Sequence, residues 1–110
     1  MSYYDKVFAV TKKIPRGRVT NYGAIADFLA LGSARMVGWA LNQSHFMGNI
    51  PAHRVVNSKG ELSGRLQFPT PTMMEELLEK EGVEIYNHKV KNFKEAFWHP
   101  GEHLDQTEYE

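Results

Sequence analysis

Apolar side chains in the first third of the chain recur every three or four residues. Between Tyr3 and Lys13 the pattern runs Tyr4, Val7, Phe8, Thr11 and on to Ile14, the spacing of one buried helix face. Pro15-Arg16-Gly17 breaks it, and Arg18-Val19-Thr20 reads as a short extended piece. Helical spacing returns over residues 22–31, YGAIADFLAL, with Asn21 or Thr20 as N-cap and Gly32 as the stop. Ser33 is then placed to cap a third helix over residues 34–43, ARMVGWALNQ. Two short helices joined across a glycine outline a helix-turn-helix.

The pattern then loosens. Residues 48–56 read as loop then strand, and Asn57-Ser58-Lys59-Gly60 as a turn. Residues 61–71 are irregular, and Pro69 and Pro71 bar a helix before Thr72. MMEELLEKE beyond it is strongly helical and stops at Gly82. Val83-Glu84-Ile85-Tyr86 predicts a short strand. From Gly101 the chain is polar and acidic, ending DQTEYE, and residues 101–110 are expected to be a disordered tail. The prediction is a single, mostly α domain with short strands (α+β) over residues 1–100, with no repeat and no linker.

Composition narrows the function classes. At 110 residues the chain supports one hydrophobic core, not two. No apolar run approaches the roughly 18 residues of a membrane span, and the N-terminus lacks a signal peptide's apolar block. The expected compartment is the cytoplasm or a nucleus, not the outside of a cell. With zero cysteines there is no disulfide, no thiolate metal site and no cysteine nucleophile. The net charge of +0 conceals a division. Residues 1–60 carry eight basic side chains against two acidic ones, and residues 61–110 five against eleven. Such asymmetry suits a protein with one face for a polyanion, although a merely dipolar surface would produce the same count.

The third helix carries two stripes. Ala34, Val37 and Leu41 suit a core, while Arg35, Gly38, Trp39 and Asn42 place a cation, a missing side chain, an aromatic and an amide on another face. A helix-interior glycine costs about 1 kcal/mol relative to alanine. Either tight packing against a neighbouring helix or close approach of another molecule's backbone would offset that. Further on, IPAHRVVNS sets an inert Ala52 between Pro51 and the His53-Arg54 pair, where chemistry would be expected. His45, His88, His99 and His103 show no metal-ligand spacing and read as surface groups.

Taken together, IPRGRVTNYGAIADFLALGSARMVGWAL, IPAHRVVNSKG and LLEKEGV resemble the DNA-binding domain of the O6-alkylguanine-DNA alkyltransferases, over roughly residues 3–86. The resemblance implies a helix-turn-helix (winged-helix-like) fold whose recognition helix enters the minor groove. In that family the residue between Pro and His-Arg-Val is the acceptor cysteine; here it is Ala52. A methyl group has no lone pair to attack carbon. The chain is therefore similar to the alkyltransferase-like proteins, which keep the site without its nucleophile. By the resemblance, Tyr22, Arg35, Gly38 and Ser58 contact DNA, Tyr22 beside the target's phosphate and Arg35 filling the gap in the stack. Leu41, Pro51, Ala52, His53, Val55 and Arg65 would form the alkylguanine pocket, with His53 and Glu81 as a relic of the catalytic relay. Ser44 replaces the transferases' Asn, LSGRLQFP replaces their glycine-rich loop, and Trp39 stands where they have a small residue.

The resemblance implies a non-enzymatic sensor that binds double-stranded DNA containing O6-alkylguanine by nucleotide flipping and flags it for nucleotide excision repair proteins. It would act as a monomer, with no metal and no cofactor. The alternatives are an engineered or degenerate alkyltransferase, a dealkylase or glycosylase in which His53 and Glu81 activate water, and a transcription factor reading the major groove.

Overall fold

The computed structural model describes all 110 residues. Helix α1 spans Tyr3–Lys13, and the Ser2 hydroxyl caps it by accepting the Asp5 N–H at 3.2 Å. Asp5 in its first turn and Lys12 and Lys13 in its last complement the helix dipole. Strand β1, Thr20–Asn21, runs straight into α2, Tyr22–Phe28, where the Asn21 side chain accepts the Ala24 N–H at 2.7 Å. Helix α2 is shorter than its apolar spacing predicts. Ala30 takes a left-handed backbone (φ 55°), and the Leu31 N–H reaches back to the Ala26 carbonyl at 2.9 Å, closing the helix before Gly32. Helix α3 follows over Ala34–Ser44. Ser33 occupies its cap position in extended backbone but makes no side-chain capping bond, contrary to expectation.

One core lies among α1, α2 and α3. Val7, Val10, Ile14, Ile25, Val37, Ala40 and Leu41 are almost wholly shielded from water there. The buried stripe of α3 is thus Val37, Ala40, Leu41 and Ser44, and Ala34, expected in it, is exposed. A second core gathers Val19, Val56, Leu62, Leu78 and Val90 around α4, Met73–Lys80. It is roofed by a hairpin of β3, Ile85–Tyr86, and β4, Lys89–Val90. Asn87 and His88 form the hairpin's turn with φ 52° and 61°, the paired positive angles of a type I′ turn. Neither β4 nor the short α5, Phe93–Ala96, was expected from the sequence.

Strand β2, Val55–Val56, joins the two halves by pairing parallel to β1, Thr20 opposite Val55 and Asn21 opposite Val56. This ladder fixes the start of α2 beside the Pro51–Arg54 turn. No helix is long and apolar enough to cross a membrane.

The segment 101–110 is ordered, which corrects the expectation of a loose acidic tail. Tyr109 is buried, its ring edge-on to Phe28 at 5.5 Å, and the Gln106 amide donates to the Phe28 carbonyl at 2.9 Å. His103 lies flat on Trp98 at 5.2 Å. One buried aromatic outweighs the acidity of its neighbours, because burying a ring is worth about 2 kcal/mol or more. Tyr109→Ala should therefore lower the unfolding free energy by about 2 kcal/mol in urea titration, where a loose tail would leave it unchanged.

Candidate nucleic-acid interface

Two concavities lie on the side of the molecule that carries α3. The first, of about 400 Å³, opens where the end of α3, the 45–50 loop, the Pro51–Arg54 turn and the start of α4 meet. That volume falls in the range of small-ligand sites. Pro51, Ala52 and His53 line it, with Ile50, Phe68, Pro69, Met73 and Leu77 as apolar walls and Ser44, His45 and Asn49 as polar ones. The Ser44 hydroxyl is spent on the Leu41 carbonyl at 2.6 Å. His45 is not the free surface group expected: it lines the cavity and meets Phe68 edge-on at 4.5 Å, and partial burial pushes its pKa down.

Behind Ala52 the His-Arg pair converges on one carboxylate. Neutral His53 donates from Nε2 to Glu81 Oε2 at 2.7 Å. Arg54 grips the same group in a fork, Nε to Oε1 at 3.0 Å and Nη2 to Oε2 at 2.9 Å, and its Nη1 reaches the Ile14 carbonyl at 2.8 Å. The Gly17 N–H adds a bond to Oε1 at 3.1 Å. Burial alone would raise the Glu81 pKa, but Arg54, His53 and Gly17 together hold it down at about 2. For His53 burial wins over the pull of Glu81 and lowers the pKa, so the imidazole is neutral at physiological pH. Glu81 therefore ties the Pro15-Arg16-Gly17 turn, the Pro51–Arg54 turn and the end of α4 together. The sequence pointed to His53 and Glu81; the larger part of Arg54 escaped it, because an arginine next to a histidine carries no signal of which way its fork turns.

The second concavity, of about 350 Å³, runs along the exposed face of α3 and is lined by Tyr22, Ala34, Arg35, Gly38, Trp39 and Asn42. Tyr22 enters it from the first residue of α2, and burial raises the pKa of its hydroxyl, against a smaller opposing pull from nearby Ser63. A Cβ placed on Gly64 would come within 2.8 Å of that hydroxyl, so a side chain at residue 64 would push the Tyr22 hydroxyl aside. Arg35 is exposed at the N-terminal end of α3 and makes no ion pair. A Cβ on Gly38 would meet nothing within 4 Å. Packing inside the chain therefore does not account for this glycine.

Three residues assigned to the pocket do not line it. Leu41 and Val55 are buried in the core behind the wall, where their apolar side chains gain most. Arg65 sits in a single 3₁₀ turn, Arg65–Gln67, with Nη1 donating to the Leu62 carbonyl at 3.2 Å. Ser58 is exposed on neither concavity, in a turn held by the Asn57 side chain accepting the N–H groups of Lys59 and Glu61. Phe68, Met73 and Leu77 are cavity walls that the sequence did not suggest. No group of three histidines or carboxylates is arranged to hold a metal ion.

Residues 2–83 match the DNA-binding domain of 6-O-methylguanine DNA methyltransferase. The chain is 38% identical over 103 residues to Alkyltransferase-like protein 1 of Schizosaccharomyces pombe, spanning 89% of this chain and 95% of that one. The chain belongs to the alkyltransferase-like family. Over 96 residues it is 34% identical to a DNA base-flipping protein of Vibrio parahaemolyticus, covering 86% and 94% of the two chains. The fold superimposes on the crystal structure of the Schizosaccharomyces pombe protein in complex with damaged DNA containing O6-carboxymethylguanine, with a TM-score of 0.79 and 37% identity over 87% of this chain and 94% of that one. It also matches an O6-methylguanine methyltransferase of Mycobacterium tuberculosis at a TM-score of 0.58 and 31% identity, spanning 48% of that longer chain. The mostly helical fold with short strands is therefore that of this family.

Proposed function

We propose that the chain is a non-enzymatic sensor of O6-alkylguanine in double-stranded DNA. It extrudes the modified nucleotide, holds it in the cavity floored by Pro51, Ala52 and His53, and hands the marked site to nucleotide excision repair proteins. The observation that carries this reading is Ala52, a methyl group lining a ligand-sized cavity directly in front of an intact His53–Glu81 pair. The alkyl-bearing edge of a stacked guanine is hidden from any deep pocket, so the nucleotide must swing out to be read. Extrusion costs a few kcal/mol, less for a base pair weakened by damage. Arg35, free of partners at the end of α3, supports the role of filling the vacated space, and an arginine is favoured in the negative potential of the minor groove. Tyr22 lies along the same face, where it would press on the backbone of the departing nucleotide. Positive charge concentrated in residues 1–60 supplies phosphate attraction regardless of sequence. The chain would act as a monomer, wherever the cell keeps its DNA.

Water activation by His53 is disfavoured by its chemistry rather than its geometry. With Nε2–H given to Glu81, Nδ1 is left as the accepting nitrogen of a His–carboxylate pair. Burial weakens that base by lowering its pKa. Water is also a poorer nucleophile than a thiolate toward the saturated carbon of an alkyl group. The test is incubation with duplex DNA carrying a radiolabelled O6-methyl group. The expected result is tighter binding to the modified duplex than to the plain one with all label left on the DNA. Label moving to protein, to methanol or to free base would refute the sensor role.

A further inference from the structure

Trp39 is half exposed, at 51% of its surface, on a helix whose Val37 and Leu41 are buried and whose Met36 is partly so. A single exposed apolar side chain is ordinary on a protein surface; what sets this indole apart is that it lines a concavity together with the unpaired Arg35. It lies one helical turn beyond Arg35, beside the open space at Gly38, and both line the same concavity with Tyr22 and Asn42. Helix α3 holds no acidic side chain, so nothing on it repels phosphate around the indole.

Resting on the sensor reading, we infer that Trp39 is a second insertion residue, an apolar wedge that enters the minor groove next to the site filled by Arg35. Four residues along a helix advance about 6 Å. A duplex advances about 3.4 Å per base step. With α3 running along the groove, the indole would meet the duplex within two steps of the extruded nucleotide. Apolar side chains pressed into the minor groove unstack a step and bend the helix away. A wedge there would hold the strand open while Arg35 fills the gap, and would favour sites whose neighbouring step is a flexible pyrimidine–purine one. The adduct is read by the cavity; the flanking sequence would be read by Trp39.

The chain carries its own reporter, because the other tryptophan, Trp98, is 4% exposed and stacked on His103. Iodide should therefore quench chiefly Trp39. Duplexes bearing one O6-methylguanine, flanked either by a TA step or by a GC step, are added to the wild-type chain, Trp39→Ala and Trp39→Phe. Expected are loss of iodide quenching in the wild-type complex, tighter binding to the TA-flanked duplex, and weakening by about tenfold to a hundredfold in Trp39→Ala, with loss of the flank preference. Trp39→Phe should retain most of the affinity. Lesion binding with Trp39 still quenched and Trp39→Ala unaffected would overturn the wedge while leaving the sensor standing. Failure of the wild-type chain to prefer modified DNA would bring down both. Protection from iodide without DNA at raised protein concentration would overturn the wedge in favour of a contact between copies.

Discussion

Arg54→Ala is expected to lower the unfolding free energy by about 3 kcal/mol or more, the cost of leaving a buried carboxylate without its main partner. The Glu81 side chain is only 5% exposed and that of Arg54 16%, so water does little to replace the lost fork. The Ile14 carbonyl also loses its donor. For a chain of this size such a loss should lower the thermal midpoint by roughly 10 °C or more. Arg54→Lys keeps the charge but not the two-pronged geometry, and should fall between the two. The pH profile gives a second check. Glu81 has a folded pKa of about 2 against an ordinary 4.5, so its contribution is complete at neutral pH and disappears as pH falls from about 4.5 toward 2. His53 is also depressed, from an ordinary 6.5, and favours the folded state while neutral; that share is lost as pH falls below 6.5. Urea titrations at successive pH values should show wild-type stability dropping through both windows, and Glu81→Gln should flatten the lower one. A wild-type profile level down to pH 3 would contradict the charge state assigned to Glu81.

Gly38→Ala is expected to change stability and binding in opposite directions. In the free chain a Cβ at position 38 meets only open space, so the substitution removes the helix penalty of glycine and should stabilise by about 1 kcal/mol. If the exposed face of α3 lies against DNA, the same methyl group stands where a sugar or phosphate must come close. Affinity for modified and plain duplex should then fall together by about tenfold, measured by fluorescence anisotropy, while thermal denaturation moves upward. Affinity unchanged by a methyl group at that position would show that DNA does not approach α3 closely there.

The helices were legible because their signals are local. Apolar spacing located α1, α3 and α4 to within a residue or two, and Asn21 announced the start of α2. The early end of α2 was hidden, since nothing in Leu29-Ala30-Leu31 advertises that Ala30 turns left-handed. Hairpin β3–β4 was missed because its turn is Asn87-His88 rather than the Asn-Gly pair that usually marks one. Order near Tyr109 depends on Phe28, 81 positions earlier, which no window along the chain connects. The same holds at the site. That Pro51, Ala52 and His53 share one cavity wall follows from their contiguity, whereas Phe68, Met73 and Leu77 arrive from elements whose inward face only folding decides. Leu41 and Val55 show the reverse case: positions next to a pocket in sequence terms that packing turned toward the core.

The short parallel ladder between Thr20–Asn21 and Val55–Val56 has a mechanical corollary. Tyr22 begins where one strand ends, and the Pro51–Arg54 turn ends where the other begins, so under the proposed function the side chain that would press on the strand and the cavity that would receive the nucleotide are clamped to a common bar. Under that proposal the molecule would work as a fixed gauge, and a wider range of adducts would be accommodated by the 45–50 loop and Phe68 on the far wall rather than by movement between Tyr22 and the cavity.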